Sequence, residues 1–410
     1  MRNFLLLFFL FPVLQVFGQK DTLSAYPAYS FVLQDSPSQL FTMRQVNQGY
    51  LSGYRLMARG LYAVSKNDYV TEMIQLGLQA FFFMPLTHEE GHRSVLTAQN
   101  IGSVSQPYFN KHGTAYVKGV TDQTLQALRD KDLPTFIRLH TGGLESDYML
   151  TRRMEVLGSF GLDDFKHYKW EYWSRKLALM QYYLFGLFGF EIDLEEEDNE
   201  LERDIVGYDT YGAARHLFRP EMGYYRYTRY DELTREERNY VHRMAYRSLF
   251  NLLNPLIVGI EHFKIGDQLK VNAGLGYTMA PFGDFIDENI WVTYRDLMIH
   301  GYVRQFQNRS NWFHGFGLSL VDAQLHQRVF ATFSGHFWNQ PEDYDFNTKT
   351  SFSGGALDLD LSYYFLCKKS PLLKGISFDL GMIYKTEGFL PEELYTRKHF
   401  GIRLGTSIRL

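Results

Sequence analysis

Val271-Asn272-Ala273-Gly274-Leu275-Gly276-Tyr277-Thr278-Met279 alternates apolar with small or polar residues at a period of two. Successive side chains of an extended chain point to opposite faces, so the stretch predicts a strand with Val271, Ala273, Leu275, Tyr277 and Met279 on one side. The pattern returns downstream. Leu357, Leu359, Leu361, Tyr363 and Phe365 oppose Asp358, Asp360 and Ser362, while Ile376, Phe378, Leu380, Met382 and Tyr384 oppose Ser377, Asp379 and Lys385. The final run sets Phe400, Ile402, Leu404, Ile408 and Leu410 against Arg403 and Arg409. About eight strands are expected, near 256–264, 269–279, 290–304, 311–320, 328–338, 351–366, 374–386 and 398–410. That number can close into a small antiparallel β-barrel with an apolar outer band and a filled, polar lumen. A water-soluble barrel or sandwich would show the same alternation with its apolar face inward. Trp291, Trp312, Trp338 and Tyr395 near strand ends, and a last strand stopping on apolar Leu410, favour the membrane.

Before Pro255 the apolar period is helical. Helices are expected over about 41–63, 69–99, 133–157, 165–188 and 231–253, with a short hairpin from Ser103–Gln106 and Thr114–Val120 turning at Asn110–Gly113. The apolar run Leu177–Phe190 is too short for a helix to cross hydrocarbon, and the acidic run from Asp193 to Asp198 reads as a solvated loop. At the start, Arg2, the apolar run Leu5–Val16 and the small Gly18 read as an export signal over residues 1–18. The expected fold class is thus α+β and multidomain. A mainly helical domain over 19–254 precedes an antiparallel barrel over 255–410.

The chain has 410 residues, 45% of them apolar, which is enough for two ordinary cores. A formal charge of −4 gives no general basic field, so nucleic acid is not an expected partner. Aromatic residues make up 17%, which suits a protein standing in a membrane interface. Cys367 is the only cysteine and can make no intramolecular disulfide. Phosphate-binding glycine loops, dinucleotide fingerprints and the Gly-x-Ser-x-Gly elbow do not occur.

The chemistry centres on His88-Glu89-Glu90-Gly91-His92. Residues four apart share a helix face, so His88 and His92 can direct imidazole nitrogens at one ion, with Glu89 beside it as general base. This run, with Ala98 and Gly102 after it, resembles the His-Glu-x-Gly-His helix of zincin metallopeptidases. It is similar both to gluzincins, where a later Glu completes the site, and to the site-two-protease group, whose third ligand is Asp. The latter's Asn-Pro-Leu-Asp-Gly signature is not in this sequence. The C-terminal strand resembles the final strand of bacterial outer-membrane barrels.

Catalytic zinc takes three protein ligands and keeps a position open. The expected third ligand is Glu145, in His140-Thr-Gly-Gly-Leu-Glu145-Ser-Asp147-Tyr148, with Asp147 as the alternative ligand or as a carboxylate that orients a ligating histidine. His140 and Tyr148 are candidates to stabilise an oxyanion, and an edge of the hairpin near 103–120 could hold an extended peptide. These expectations describe a peptidase of the bacterial outer membrane with one zinc per chain, Glu89 as base, and a catalytic domain facing the periplasm. Its expected partners are a peptide or protein substrate, outer-membrane lipid and other outer-membrane proteins. The alternative is a non-catalytic accessory subunit of an outer-membrane assembly or secretion machine.

Overall fold

A computed structural model describes residues 22–36, 41–65, 67–108, 115–190, 197–367, 370 and 372–410. The expected export signal, the hairpin turn at 110–113 and most of the acidic run at 193–198 lie outside the described residues.

Strand β1 (Ala28–Gln34) is followed by helices α1 (Met43–Val64), α2 (Asp68–Leu78) and α3 (Met84–Ala98). The small hairpin β2 (Val104–Gln106) and β3 (Tyr116–Lys118) leads to α4 (Asp122–Lys131), α5 (Leu133–Phe160), α6 (Lys169–Leu184), α7 (Asp209–Phe218) and α8 (Arg235–Ser248). The meander then runs through β4 (Phe263–Ile265), β5 (Leu269–Ala280), β6 (Gly283–Tyr294), β7 (Leu297–Gln307), β8 (Trp312–His326), β9 (Val329–Pro341), β10 (Ser351–Cys367), β11 (Gly375–Lys385) and β12 (His399–Arg409).

The expected class, a mainly helical domain followed by a separate barrel of about eight strands, is corrected in three respects. The sheet has ten strands in the order β1-β12-β11-β10-β9-β8-β7-β6-β5-β4, and it is not closed. One of those strands, β1, comes from the N-terminal side of the helices and pairs antiparallel with β12. Helices and sheet also share their largest apolar core, in which Ile137, Leu144 and Tyr148 of α5 meet Phe285, Phe306 and Trp338. The change of period at Pro255 therefore marks a change of secondary structure within one packed unit. The expected strand at 290–304 is a hairpin whose turn passes through Arg295 at φ 55°, and the expected connection at 280–289 is the tight turn at Gly283 and most of β6.

Helical segments cover β1 and the part of β5 that lies beyond its short pairing with the exposed edge strand β4. Along β1, Ser52 Oγ of α1 donates to the Ser30 carbonyl at 2.7 Å and Arg55 Nη1 to the Ala28 carbonyl at 3.0 Å. Along β5, Leu275 N–H donates to the Leu253 carbonyl at 2.9 Å, Tyr277 N–H to Asn251 Oδ1 at 3.0 Å, and Met279 N–H to the Tyr183 hydroxyl at 3.2 Å. Backbone groups that a neighbouring strand would satisfy are met by helical segments instead.

The face of the sheet away from the helices is apolar as well. One row, Val271–Val292–Ile299–Leu320–Phe333–Leu359–Met382–Ile402, crosses eight strands with an apolar residue at every position, on the face away from the helices. The neighbouring row toward the helices runs Asn272–Trp291–His300–Ser319–Ser334–Asp358. Further along that inner face Arg304 donates to both carboxylate oxygens of Asp287, at 2.6 and 2.7 Å. Charge is buried and paired, while Phe316, Phe378, Phe400 and Ile402 are exposed.

Candidate metal centre

The helix expected at 69–99 is three pieces. α2 passes into a five-residue π-helical turn at Gln79–Phe83, and α3 starts again with Pro85 in its first turn. Proline has no N–H to donate, and a π turn absorbs the break in the ladder directly before the histidine motif.

α3 and α5 cross so closely that no side chain fits between them. A Cβ on Gly91 would lie 2.3 Å from the Gly142 carbonyl oxygen, and one on Gly142 would lie 2.9 Å from the Gly91 oxygen. One residue on, a Cβ at Gly143 would stand 2.4 Å from His88 Nε2 and 2.5 Å from His92 Nε2. Its absence leaves the space in front of both rings open.

The rings are fixed from behind. His92 Nδ1 donates to the Leu139 carbonyl oxygen at 2.7 Å, and His88 Nδ1 donates to Asp147 Oδ2 at 2.8 Å. With protons on both Nδ1 atoms, the two Nε2 atoms are acceptors, and they lie 3.3 Å apart. Asp209 Oδ2, at the start of α7, is 3.4 Å from each of them. Asp209 is buried, and this oxygen has no hydrogen-bond partner. Three acceptors aimed at one point repel each other unless a proton or a metal cation lies between them. Two imidazoles and one carboxylate are a donor set of the kind that holds catalytic zinc, so the residues fit the ion.

The groups around this point are strongly coupled to one another. Burial would raise the pKa of Asp209, but the adjacent His92 and His88 rings hold its carboxyl well below the usual carboxylate range. Burial opposes charging His88, yet Asp147 and Asp209 hold its pKa well above the ordinary histidine value. Burial pushes Glu89 up to about 7 against the pull of both histidines, and it raises nearby Asp204 to about 6. Asp147 is itself held by Arg175 of α6, whose Nη1 donates to Asp147 Oδ1 at 2.7 Å.

Three expected residues stand elsewhere. Gly143 and Asp147, four apart, share the face of α5 toward α3, and Glu145 lies about 200° around the helix from Gly143. Glu145 accepts from Arg138 Nε at 2.9 Å and from the Glu392 N–H at 2.8 Å, so it clamps the loop before β12 onto α5 and Asp209 takes the position expected for it. Tyr148 faces the sheet and donates to Asp287 Oδ2 at 2.5 Å, away from the ion site. His140 is buried and stacks on His216, ring centroids 5.3 Å apart, under the close approach of Gly212. The orienting role considered for Asp147 corresponds to its hydrogen bond with His88.

Sequence reading missed Arg175, Asp209 and Tyr182. Asp209 opens a ten-residue helix in the stretch between the helices expected at 165–188 and 231–253, and the available signal was an acidic residue followed by a short helical run through His216. Tyr182 lies on α6, its ring centroid 5.8 Å from that of His88, and its oxygen accepts the Asp209 N–H at 3.2 Å. The Tyr182 hydroxyl proton is left to point elsewhere. No protein-family model, no curated protein and no solved structure matches this chain.

Proposed function

We propose that the chain is a zinc-dependent peptidase embedded in a bacterial outer membrane through the apolar face of its sheet. The observation that carries the catalytic reading is the convergence of His88 Nε2, His92 Nε2 and Asp209 Oδ2 with Glu89 next to His88 in the same helix. His88, His92 and Asp209 would hold a zinc ion, which would supply Lewis acidity at this point. Glu89, next to His88 on α3, would take the proton of the attacking water and deliver it to the leaving amine. Tyr182 donates its hydroxyl proton as a hydrogen bond to the substrate carbonyl oxygen as negative charge develops there. Arg175 and Asp147 act behind His88, keeping its Nε2 turned toward the site. The unbroken apolar row across eight strands, with charge on the helix side, supports the membrane location. No described helix is long and apolar enough to cross a membrane.

The test is metal content by mass spectrometry on purified full-length protein, together with hydrolysis of a fluorescent casein. About one zinc per chain is expected in the wild type, as three protein ligands imply, with loss in His92→Ala and Asp209→Asn and retention in Glu145→Gln. Glu89→Gln should keep its zinc and lose about 10² to 10⁴ of the hydrolytic rate, the range for one general base. Zinc retained with full hydrolysis in Glu89→Gln would overturn the catalytic assignment. Zinc with no hydrolysis in the wild type would favour the accessory-subunit reading.

A further inference from the structure

The helices between the two edges of the sheet also turn apolar side chains outward. On α2, Thr71, Gln75 and Gln79 follow one another at intervals of four and are fully buried. They pack toward α1, where the Tyr54 hydroxyl donates to Gln75 Oε1 at 3.3 Å and the Tyr50 hydroxyl to Gln79 Oε1 at 3.0 Å. The opposite side of α2 and its π-helical continuation exposes Tyr69, Val70, Met73, Ile74, Phe81 and Phe82, with Phe81 63% accessible. A surface helix in water places its apolar stripe on the core and its amides outside, so α2 is inverted. α6, packed beside α2, shows the inversion in part: Glu171, Arg175 and Lys176 are fully buried beside Tyr172, Leu179 and Tyr183, while Leu177 is half exposed next to the exposed Gln181.

These helices stand in an ordered sequence. α1 covers the edge of β1, α2 packs on α1, α6 on α2, and the segment Leu249–Leu252 lies between α6 and the edge of β5. The circuit of the wall is therefore completed by helices where the ten strands leave it open. We infer that the outer face of α2 and α6 is a lipid-contacting section of that wall, covered by the acyl chains of the bilayer. Its exposed apolar side chains match those that the outer row of the sheet presents, and the polar residues of α2 behind them are buried against α1. The edge groups of β1 and β5 are hydrogen-bonded to helices, so the wall presents no open sheet edge to hydrocarbon there, as an apolar solvent requires. Arg175 reaches Asp147 and Tyr182 stands beside His88, which puts the candidate metal centre one layer behind this surface. The inference rests on the membrane location proposed above and extends it from the sheet to the helices.

Site-directed spin labelling tests it on the full chain in phosphatidylethanolamine and phosphatidylglycerol vesicles. In a Cys367→Ser background, single labels are placed by Met73→Cys and Ile74→Cys on α2, Phe378→Cys on the sheet, and Lys131→Cys on α4 as the aqueous reference. Molecular oxygen concentrates in hydrocarbon and a nickel chelate in water, so their collision ratio reports the solvent at each label. Labels 73 and 74 should match label 378 and exceed label 131 on the order of tenfold, as partition of a polar complex against hydrocarbon implies. Water-like values at 73 and 74 with a lipid-like value at 378 would overturn the helical wall and leave the membrane reading standing. Water-like values at all four sites would overturn both. Protection of 73 and 74 from both colliders would mean that a protein or a second copy covers the face, and would also overturn the inference.

Discussion

The space enclosed by His88, His92 and Asp209 exists because residue 143 has no side chain, and this gives a direct test of the centre. Gly143→Ala puts its methyl carbon within 2.6 Å of ring atoms of both histidines, on the side where the ion would sit. The neighbours it meets are the far ends of imidazoles, which can turn aside, so the helix crossing should survive while the donor set is spread. The expected outcome is unchanged circular dichroism and a zinc content that falls to about a tenth of the wild type or less, since catalytic zinc takes all three protein ligands. A Gly143→Ala protein that keeps one zinc per chain would show that the ion, if bound, lies elsewhere. At this scale the sequence was legible where the chemistry is local. His88, Glu89 and His92 share one helical turn and are read from spacing alone. Asp209 is brought to them from more than a hundred residues away by tertiary packing, which no local period encodes. Glu145 and Asp147 were both visible as candidates, but only the rotation of α5 decides which of them faces α3.

Among the elements, the crossing of α3 and α5 and the short helix α7 each carry a measurable consequence. Gly91→Ala drives a methyl group into the Gly142 carbonyl, which is backbone and cannot step aside, so the helices must separate. A loss of about 1–3 kcal/mol is expected from such overpacking. Gly53→Ala on α1 meets nothing within 4 Å and should instead stabilise, by about 0.5–1 kcal/mol, by restricting the unfolded chain. Denaturant unfolding in detergent followed by tryptophan fluorescence distinguishes the two, and equal effects would sink the crossing argument. On α7, burial and the positive charges of Arg215 and Arg129 depress His216 to about 4, against the hydrogen bond from its Nδ1 to the Gly212 carbonyl. The unfolded chain takes up this proton near pH 6.5, whereas the folded protein resists it until about pH 4, so stability falls as pH drops through that window. The loss is about 3 kcal/mol for a shift of this size. In His216→Asn this contribution is absent, so the stability gap between wild type and variant should narrow by about that amount between pH 7 and pH 4; a gap independent of pH would contradict it. Element boundaries were read well where a period runs long, as in α1, α5 and β10. They were misread at β6 and β7, where a hairpin turning through Arg295 carries no glycine or proline to announce itself.

For the whole molecule, the sequence showed that two faces alternate but not which face meets solvent, because a soluble sheet and a membrane sheet share one period. The registers align apolar residues into one row on the side away from the helices, while the other side carries the Arg304–Asp287 pair beside the shared core. Nor did the period reveal that β1 joins the sheet from the far end of the chain, since strand pairing across nearly four hundred residues leaves no local trace. Phe333 stands in the middle of the apolar row, between Leu320 of β8 and Leu359 of β10, and it is 40% accessible. In a water-soluble protein, Phe333→Arg at such an exposed site would be close to neutral, because the guanidinium would reach water at once. If the row faces acyl chains, the same charge must sit in hydrocarbon or pull away from it. Arginine near the middle of a membrane strand costs about 2–4 kcal/mol, and the cost shrinks toward either interface. The expected result is therefore graded: a large loss of stability in lipid vesicles for Phe333→Arg, a smaller one for Trp312→Arg at the start of β8, and a near-neutral effect for Lys131→Ala on the exposed side of α4. Equal, small effects at positions 333 and 312 would mean that the outer face of the sheet stands in water, and the membrane location would then have to be abandoned together with the lipid-facing helices.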